Sequence, residues 1–204
     1  MGSEMCIRDR TSPHLEGFRA RDIDVLLMTD PVDEFWMQAI HEFEGKAFAS
    51  ASRGAIDLDK ISMKPSSDDA EAIPADDTEL APLLAKVKTI LGDKVKDVRL
   101  SKTLTESPAC LVADEDGMDI QMERLMKAHN KDFSGSPRIL ELNPSHGLIT
   151  GLKDKIEANQ DPDLVCDSAT MLFDQALILE GRTPVNLNEF ASRMTRLMQR
   201  GISV

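Results

Sequence analysis

The clearest pattern along the chain is a pair of apolar stripes in its last forty residues. Val165, Ala169, Leu172, Ala176 and Leu179 recur at steps of four, three, four and three. Leu187, Phe190, Met194 and Leu197 repeat the device beyond a six-residue turn, 181–186. That spacing keeps one apolar face on each of two helices, predicted over 163–180 and 187–200. Gly181 and Pro184 supply the turn, and Asn186 with Glu189 three residues on makes a variant capping box. No residue follows Val204 to cover such a hairpin. A second copy of the chain is therefore the expected cover, giving a four-helix dimer interface with two helices from each protomer.

Upstream the pattern divides at Ser66–Glu79, which carries six carboxylates and no base. Such a run reads as a solvated linker. Before it, Ser12–Arg21 predicts a helix capped by Ser12 with Pro13 in its first turn. Ile23–Met28 predicts a short buried strand. Asp33–Phe43 predicts a helix ended by Gly45, with a short strand over Ala47–Ala51. After the linker, Thr78 is the expected N-cap of a helix over 79–91, with Leu80, Leu83, Leu84, Val87, Ile90 and Leu91 on one face and Gly92 as its stop. Strands are predicted over Val95–Leu100, Ala109–Ala113 and Arg138–Leu142. Helices are predicted over 117–129 and from Asn143-Pro144-Ser145 to Ala158. The fold class is α+β: a small sheet with packed helices and a terminal helical hairpin, preceded by an α/β fragment too small to form a core alone.

Composition narrows the function. The net charge of −12 excludes a non-specific nucleic-acid binder, which needs clustered Lys and Arg. There is no apolar run near the roughly 18 residues of a membrane span, and no membrane partner is expected. Residues 1–10, MGSEMCIRDR, have no apolar core of a signal peptide and fit nothing after them; they are taken as an added leader. Cys6, Cys110 and Cys166 are widely spaced and form no CxxC. That suits a reducing cytoplasm and argues against disulfides or zinc, with Cys110 and Cys166 expected as small buried hydrophobes.

Catalytic patterns are absent. His14, His41, His129 and His146 fall in different predicted elements without metal-ligand spacing. No phosphate-binding or nucleophile-elbow motif occurs. Glu42 and Glu44 are expected to be solvated surface. The unusual segment is Met118–His129, in which Met118, Met122, Leu125 and Met126 share one helical face. Three methionines make a soft surface suited to varied apolar partners, although such a face can equally pack on a neighbouring sheet. Phe35 and Trp36 are adjacent aromatics that cannot both point fully inward.

A resemblance rests on several of these segments together. Ser12-Pro-His-Leu-Glu16, Val25-Leu-Leu-Met-Thr-Asp30, Asp33-Glu-Phe-Trp-Met37, Glu42-Phe-Glu-Gly-Lys46, Val95-Lys-Asp-Val-Arg-Leu100, Glu141-Leu-Asn-Pro144 with His146, and Leu172-Phe-Asp-Gln-Ala-Leu177 resemble the bacterial branch of the heat-shock-protein-90 chaperones. The likeness runs through about residues 11–200 in the family's order. It implies that 11–51 is the C-terminal end of the family's middle domain, 52–78 an acidic linker, and 79–204 the C-terminal dimerisation domain. The family's ATP site lies in an N-terminal domain and its catalytic arginine earlier in the middle domain. The resemblance thus implies an ATPase with ATP and magnesium for the full-length protein, and no catalysis or cofactor for this chain. It implies client binding by Phe35 and Trp36 and by Met118, Met122, Leu125 and Met126. Other members place Trp directly after the Asp-Glu pair, whereas here Phe35 holds that place and Trp36 follows. The end Gly201-Ile-Ser-Val204 lacks the Met-Glu-Glu-Val-Asp tail of eukaryotic members.

The expectation is a cytoplasmic homodimer that presents apolar surfaces to unfolded or partly folded proteins. Its rival is a plain oligomerisation module with no client contact of its own. The expected dimer interface is Val165, Ala169, Leu172, Ala176, Leu179, Leu187, Phe190, Met194 and Leu197.

Overall fold

The computed structural model describes residues 11–28, 30, 32–33, 39–40, 42–52, 58, 77–114 and 137–202. A mixed three-stranded sheet organises the C-terminal part. β3 (Val95–Leu100) runs parallel to β5 (Arg138–Leu142), and β4 (Ala109–Val112) runs antiparallel to it, in the order β3-β5-β4. As the central strand, β5 is buried at every position. Its alternation divides the sheet's two faces: Leu140 and Leu142 point one way, Ile139 and Glu141 the other.

Leu140 and Leu142 join the main core, with helices packed over them. The first is α2 (Asp77–Leu91), which turns Leu80, Leu83, Val87 and Leu91 inward at the predicted helical spacing. It begins before Thr78, so Thr78 lies inside the helix instead of capping it. Pro82 is tolerated because its missing N–H costs a bond only to the first turn, where helices fray. Gly92, at φ +54°, is the expected stop. Lys88 Nζ then donates to the carbonyls of Gly92 and Lys96 at 3.4 and 2.8 Å, tying the helix end to β3.

After β5 come α3 (Gly147–Glu157), α4 (Pro162–Leu179) and α5 (Leu187–Ile202). α3 starts later than the expected Asn143-Pro144-Ser145 start because its cap is His146: Nδ1 accepts from the Leu148 N–H at 3.1 Å. α5 starts where the capping pattern places it, with the Glu189 N–H donating to Asn186 Oδ1 at 3.2 Å.

The second face of the sheet carries Arg99, Glu141 and Cys110 in one row across the three strands. Leu104, Cys110, Val112 and Ile139 form a smaller cluster on this side. Beside β4 lie a 3-10 turn (Pro13–Leu15) and α1 (Glu16–Ala20), with Leu15 and Phe18 buried. Ser12 caps the turn as expected, its hydroxyl accepting from the His14 N–H at 3.4 Å.

Two upstream expectations are corrected. Ile23–Met28 forms no strand: no described strand pairs with it, and Leu26 is 72% exposed. The predicted end of a helix at Phe43 is instead a hairpin, β1 (Glu42–Phe43) with β2 (Lys46–Ala47). Glu44 and Gly45 both take positive φ, +50° and +75°, the two-residue turn whose twist matches an antiparallel pair. Cys166 is exposed rather than buried, because it lies on the outer side of α4. The predicted helix 117–129 and most of 33–41 lie outside the described residues.

Candidate functional site

α4 has two working faces, and they do different things. Its apolar stripe Val165, Ala169, Leu172 and Ala176 lies in the core of its own chain, each residue 2% exposed or less. The small Ala169 and Ala176 let the helix sit close against β4 and the neighbouring helices α2 and α3. The expectation that a second copy covers these four is therefore corrected: the chain's own sheet and helices do. A helix periodicity identifies a buried face without identifying what buries it. From the same stripe only Leu179 remains exposed.

The side of α4 toward α5 is acidic, and α5 answers with bases. Arg193 reaches Asp174 at 3.1 Å and Asp167 at 3.5 Å. Arg196 binds Asp167 with two parallel hydrogen bonds of 2.8 and 2.7 Å. Arg200 pairs with Asp161, which also caps α4 by accepting from the Leu164 N–H at 3.1 Å. The Arg196 hydrogen bond draws the Asp167 carboxyl below its ordinary range, and Arg200 does the same to Asp161. Asp174 goes the other way, because burial outweighs the attraction of Arg193.

Held in this way, α5 buries none of its own residues within the chain. Phe190 and Leu197 are half-buried, while Leu187, Met194, Met198 and Ile202 are exposed, Ile202 to 81%. Ile178 and Leu179 at the end of α4 and Val185 in the turn extend this apolar surface. Beside it opens a groove of about 440 Å³ between α3, α4 and α5. Leu148, Leu152, Leu164, Met171, Leu172 and Leu197 line it, with Lys155 and Arg200 among its polar residues. The groove and the outer face of α5 can accept an apolar helix.

Of the expected interface, Leu179, Leu187, Phe190, Met194 and Leu197 thus lie on or beside an outward surface. The expected client residues Phe35, Trp36, Met118, Met122, Leu125 and Met126 lie outside the described residues. The sequence reading missed Met198, Ile202 and Leu148. It also missed the ion-pair ladder, whose signal was the acids at 161, 167 and 174 set against the bases at 193, 196 and 200.

No cluster of three or more potential metal ligands occurs among the described residues. Burial, with help from the Glu141, Glu16 and Glu180 carboxylates, pushes the Cys110 thiol well up, which keeps it protonated and a poor nucleophile. No helix among the described residues is long and apolar enough to cross a membrane.

The family model described as Hsp90 protein matches residues 4–204. The chain belongs to the Hsp90 family. Among its relatives, the chaperone protein HtpG of Roseobacter denitrificans is 50% identical over 189 residues, which is 92% of this chain and 30% of the relative. HtpG of Paramagnetospirillum magneticum is 42% identical over 193 residues, 95% of this chain and 31% of the relative. HtpG of Mycolicibacterium gilvum is 40% identical over 191 residues, 92% of this chain and 29% of the relative. This Hsp90 chain therefore spans about 30% of the length of the curated relatives it matches.

Proposed function

We propose that this chain is the C-terminal part of an HtpG-like chaperone and supplies homodimerisation and apolar client binding. The observation that carries the dimer is α5, a sixteen-residue helix with apolar side chains outward and none buried in its own chain. Pairing of two hairpins would place α5 of one protomer against the groove and α5 of the other, making a four-helix bundle. If this hides about 500 Å² of apolar surface per chain, area bookkeeping at roughly 25 cal/mol/Å² gives on the order of 12 kcal/mol. Association costs remove much of that and still leave a stable dimer.

Client binding falls to Phe35 and Trp36 and to the face of Met118, Met122, Leu125 and Met126. Methionine surfaces adapt to many apolar shapes, so binding is weak and promiscuous. In this reading residues 11–51 end the middle domain, 52–78 are the linker and 79–204 the dimerisation domain. The whole protein hydrolyses ATP with magnesium in the cytoplasm, and this chain contributes the dimer and client surfaces.

The test is suppression of aggregation of a chemically denatured client, followed by light scattering, with the 204-residue chain added without ATP. Suppression that saturates near stoichiometric chain supports the proposal. A chain that dimerises yet leaves aggregation unchanged would be a plain oligomerisation module.

A further inference from the structure

The carboxylate of Glu16 is the most heavily hydrogen-bonded acid at the junction between α1 and the sheet. It accepts from the backbone N–H groups of Thr105, Glu106 and Ser107 at 3.0, 2.9 and 3.0 Å, and from the Ser107 hydroxyl at 2.5 Å. Three successive N–H groups converging on one anion form a backbone nest. The partners lie some ninety residues apart in sequence, so the contact fastens the segment before the acidic stretch to the sheet beyond it.

The receiving loop is ordered from the other side by β5. Glu141 accepts from Ser101 Oγ at 2.9 Å, and that hydroxyl in turn accepts from the N–H groups of Thr103 and Leu104 at 3.2 Å each. Asn143, fully buried, donates from Nδ2 to the Ser107 carbonyl at 3.1 Å and from its N–H to the Pro108 carbonyl at 2.9 Å. Both flanks of the nest are thus tied to β5 through groups other than Glu16. Gly17 completes the fit: a Cβ there would come within 2.6 Å of the Thr103 carbonyl oxygen. Against this shaped seat, α1 itself is five residues long and buries Gly17 and Phe18, with Pro13 and Leu15 buried in the turn before it.

We propose that Glu16 and the 105–107 nest form a releasable latch, which holds α1 across the second face of the sheet when closed and frees it as a unit when open. The argument is one of unequal stability. The loop is anchored to the central strand by buried hydrogen bonds, whereas α1 and the turn before it hold to it through one carboxylate and the buried side chains of Pro13, Leu15 and Phe18. Local opening follows the weaker anchor. The two states therefore differ in whether α1 is docked on the sheet that carries the C-terminal hairpin, while the Ala113 N–H keeps its bond to the Ser52 carbonyl at 3.1 Å. This goes beyond the chaperone reading and does not depend on it.

The test is residue-resolved amide hydrogen exchange on the full 204-residue chain and on Glu16→Gln, Glu16→Asp and Gly17→Ala. Charge-assisted hydrogen bonds of this kind set the scale. Glu16→Gln is expected to speed exchange roughly ten- to a hundredfold at Thr105, Glu106 and Ser107 and, by a similar factor, at Leu15 and Ile23. Gly17→Ala should open the same two regions, and Glu16→Asp should fall between wild type and Glu16→Gln. Leu140 and Leu172 should keep their protection throughout. Faster exchange at 105–107 with Leu15 and Ile23 unchanged would overturn the latch, since docking would then rest on Leu15 and Phe18. No change at either region would overturn it too, and so would loss of protection at Leu140 and Leu172, which would make Glu16 part of the global fold.

Discussion

Arg193 on α5 donates from Nη1 to Oδ2 of Asp174 on α4 at 3.1 Å, and both side chains are largely enclosed. The same guanidinium reaches Asp167, seven residues earlier and two turns away on the same face of α4. One residue of α5 thus fixes both the distance and the register of the hairpin. Because no residue of α5 is fully buried within its chain, this contact helps decide where its apolar side is aimed.

Arg193→Ala removes the contact and leaves Asp174 enclosed without its cation. The expected loss is about 2 kcal/mol of stability, since an enclosed charge is left unsatisfied. Urea unfolding followed by circular dichroism measures it, and the same variant should weaken the dimer because α5 loses its register.

Leu197→Asp and Leu172→Asp separate the two faces of the hairpin. Leu197 is half-buried in the groove, so its charged variant should keep the fold and yield monomers. Leu172, at 2% exposure, is core, and a carboxylate there should cost more than about 4 kcal/mol and unfold the domain. Size-exclusion chromatography with circular dichroism distinguishes a folded monomer from an unfolded chain.

Much of this arrangement was legible before the structure. Helices α2, α4 and α5 and strands β3, β4 and β5 lie within a few residues of where the sequence pattern places them, because the helices repeat apolar residues at helical spacing and β4 is a short apolar run. The destination of the α4 stripe was not legible. Val165, Ala169, Leu172 and Ala176 have the same spacing whether they meet a second copy or their own sheet. Ile23–Met28 is apolar like a strand, but a strand exists only if another pairs with it, and that is a tertiary fact. Glu44-Gly45 held a hairpin signal that the helical spacing of Phe35, Ala39, Ile40 and Phe43 masked. Glu16 and Ser107 carry no mutual signal at all, since a nest is made from backbone and leaves no residue signature.

Acid should loosen the junction through Glu16. Burial raises its pKa, but the Ser107 hydroxyl and the N–H groups of Ser107, Glu106 and Thr105 together bring it below the ordinary carboxylate value. A depressed folded-state pKa contributes stability above the unfolded-state value, and that stability is lost as pH falls through the folded-state value. The difference in amide protection at Thr105, Glu106 and Ser107 between wild type and Glu16→Gln should therefore be largest near neutrality and shrink below the ordinary carboxylate range. A difference that stays constant from pH 7 to pH 3 would contradict this.

Met122→Ser combined with Met126→Ser should lower suppression of client aggregation and leave dimerisation intact, because the two tasks are assigned to different helices. Light scattering and sedimentation on the same sample check both halves. Unchanged suppression would remove the methionine face from client binding.

Equilibrium dialysis with ATP and magnesium should find no nucleotide retained by the 204-residue chain. Retention at micromolar concentrations would require a nucleotide site within these residues and change the division of labour proposed for the protein.

Sedimentation equilibrium of the 204-residue chain across a micromolar dilution series tests the central claim most directly. The account predicts a mass near twice that of the single chain, falling to the single-chain mass in Leu197→Asp. A single-chain mass for the unaltered protein at the highest concentration would contradict it, leaving the outward face of α5 without the partner assigned to it.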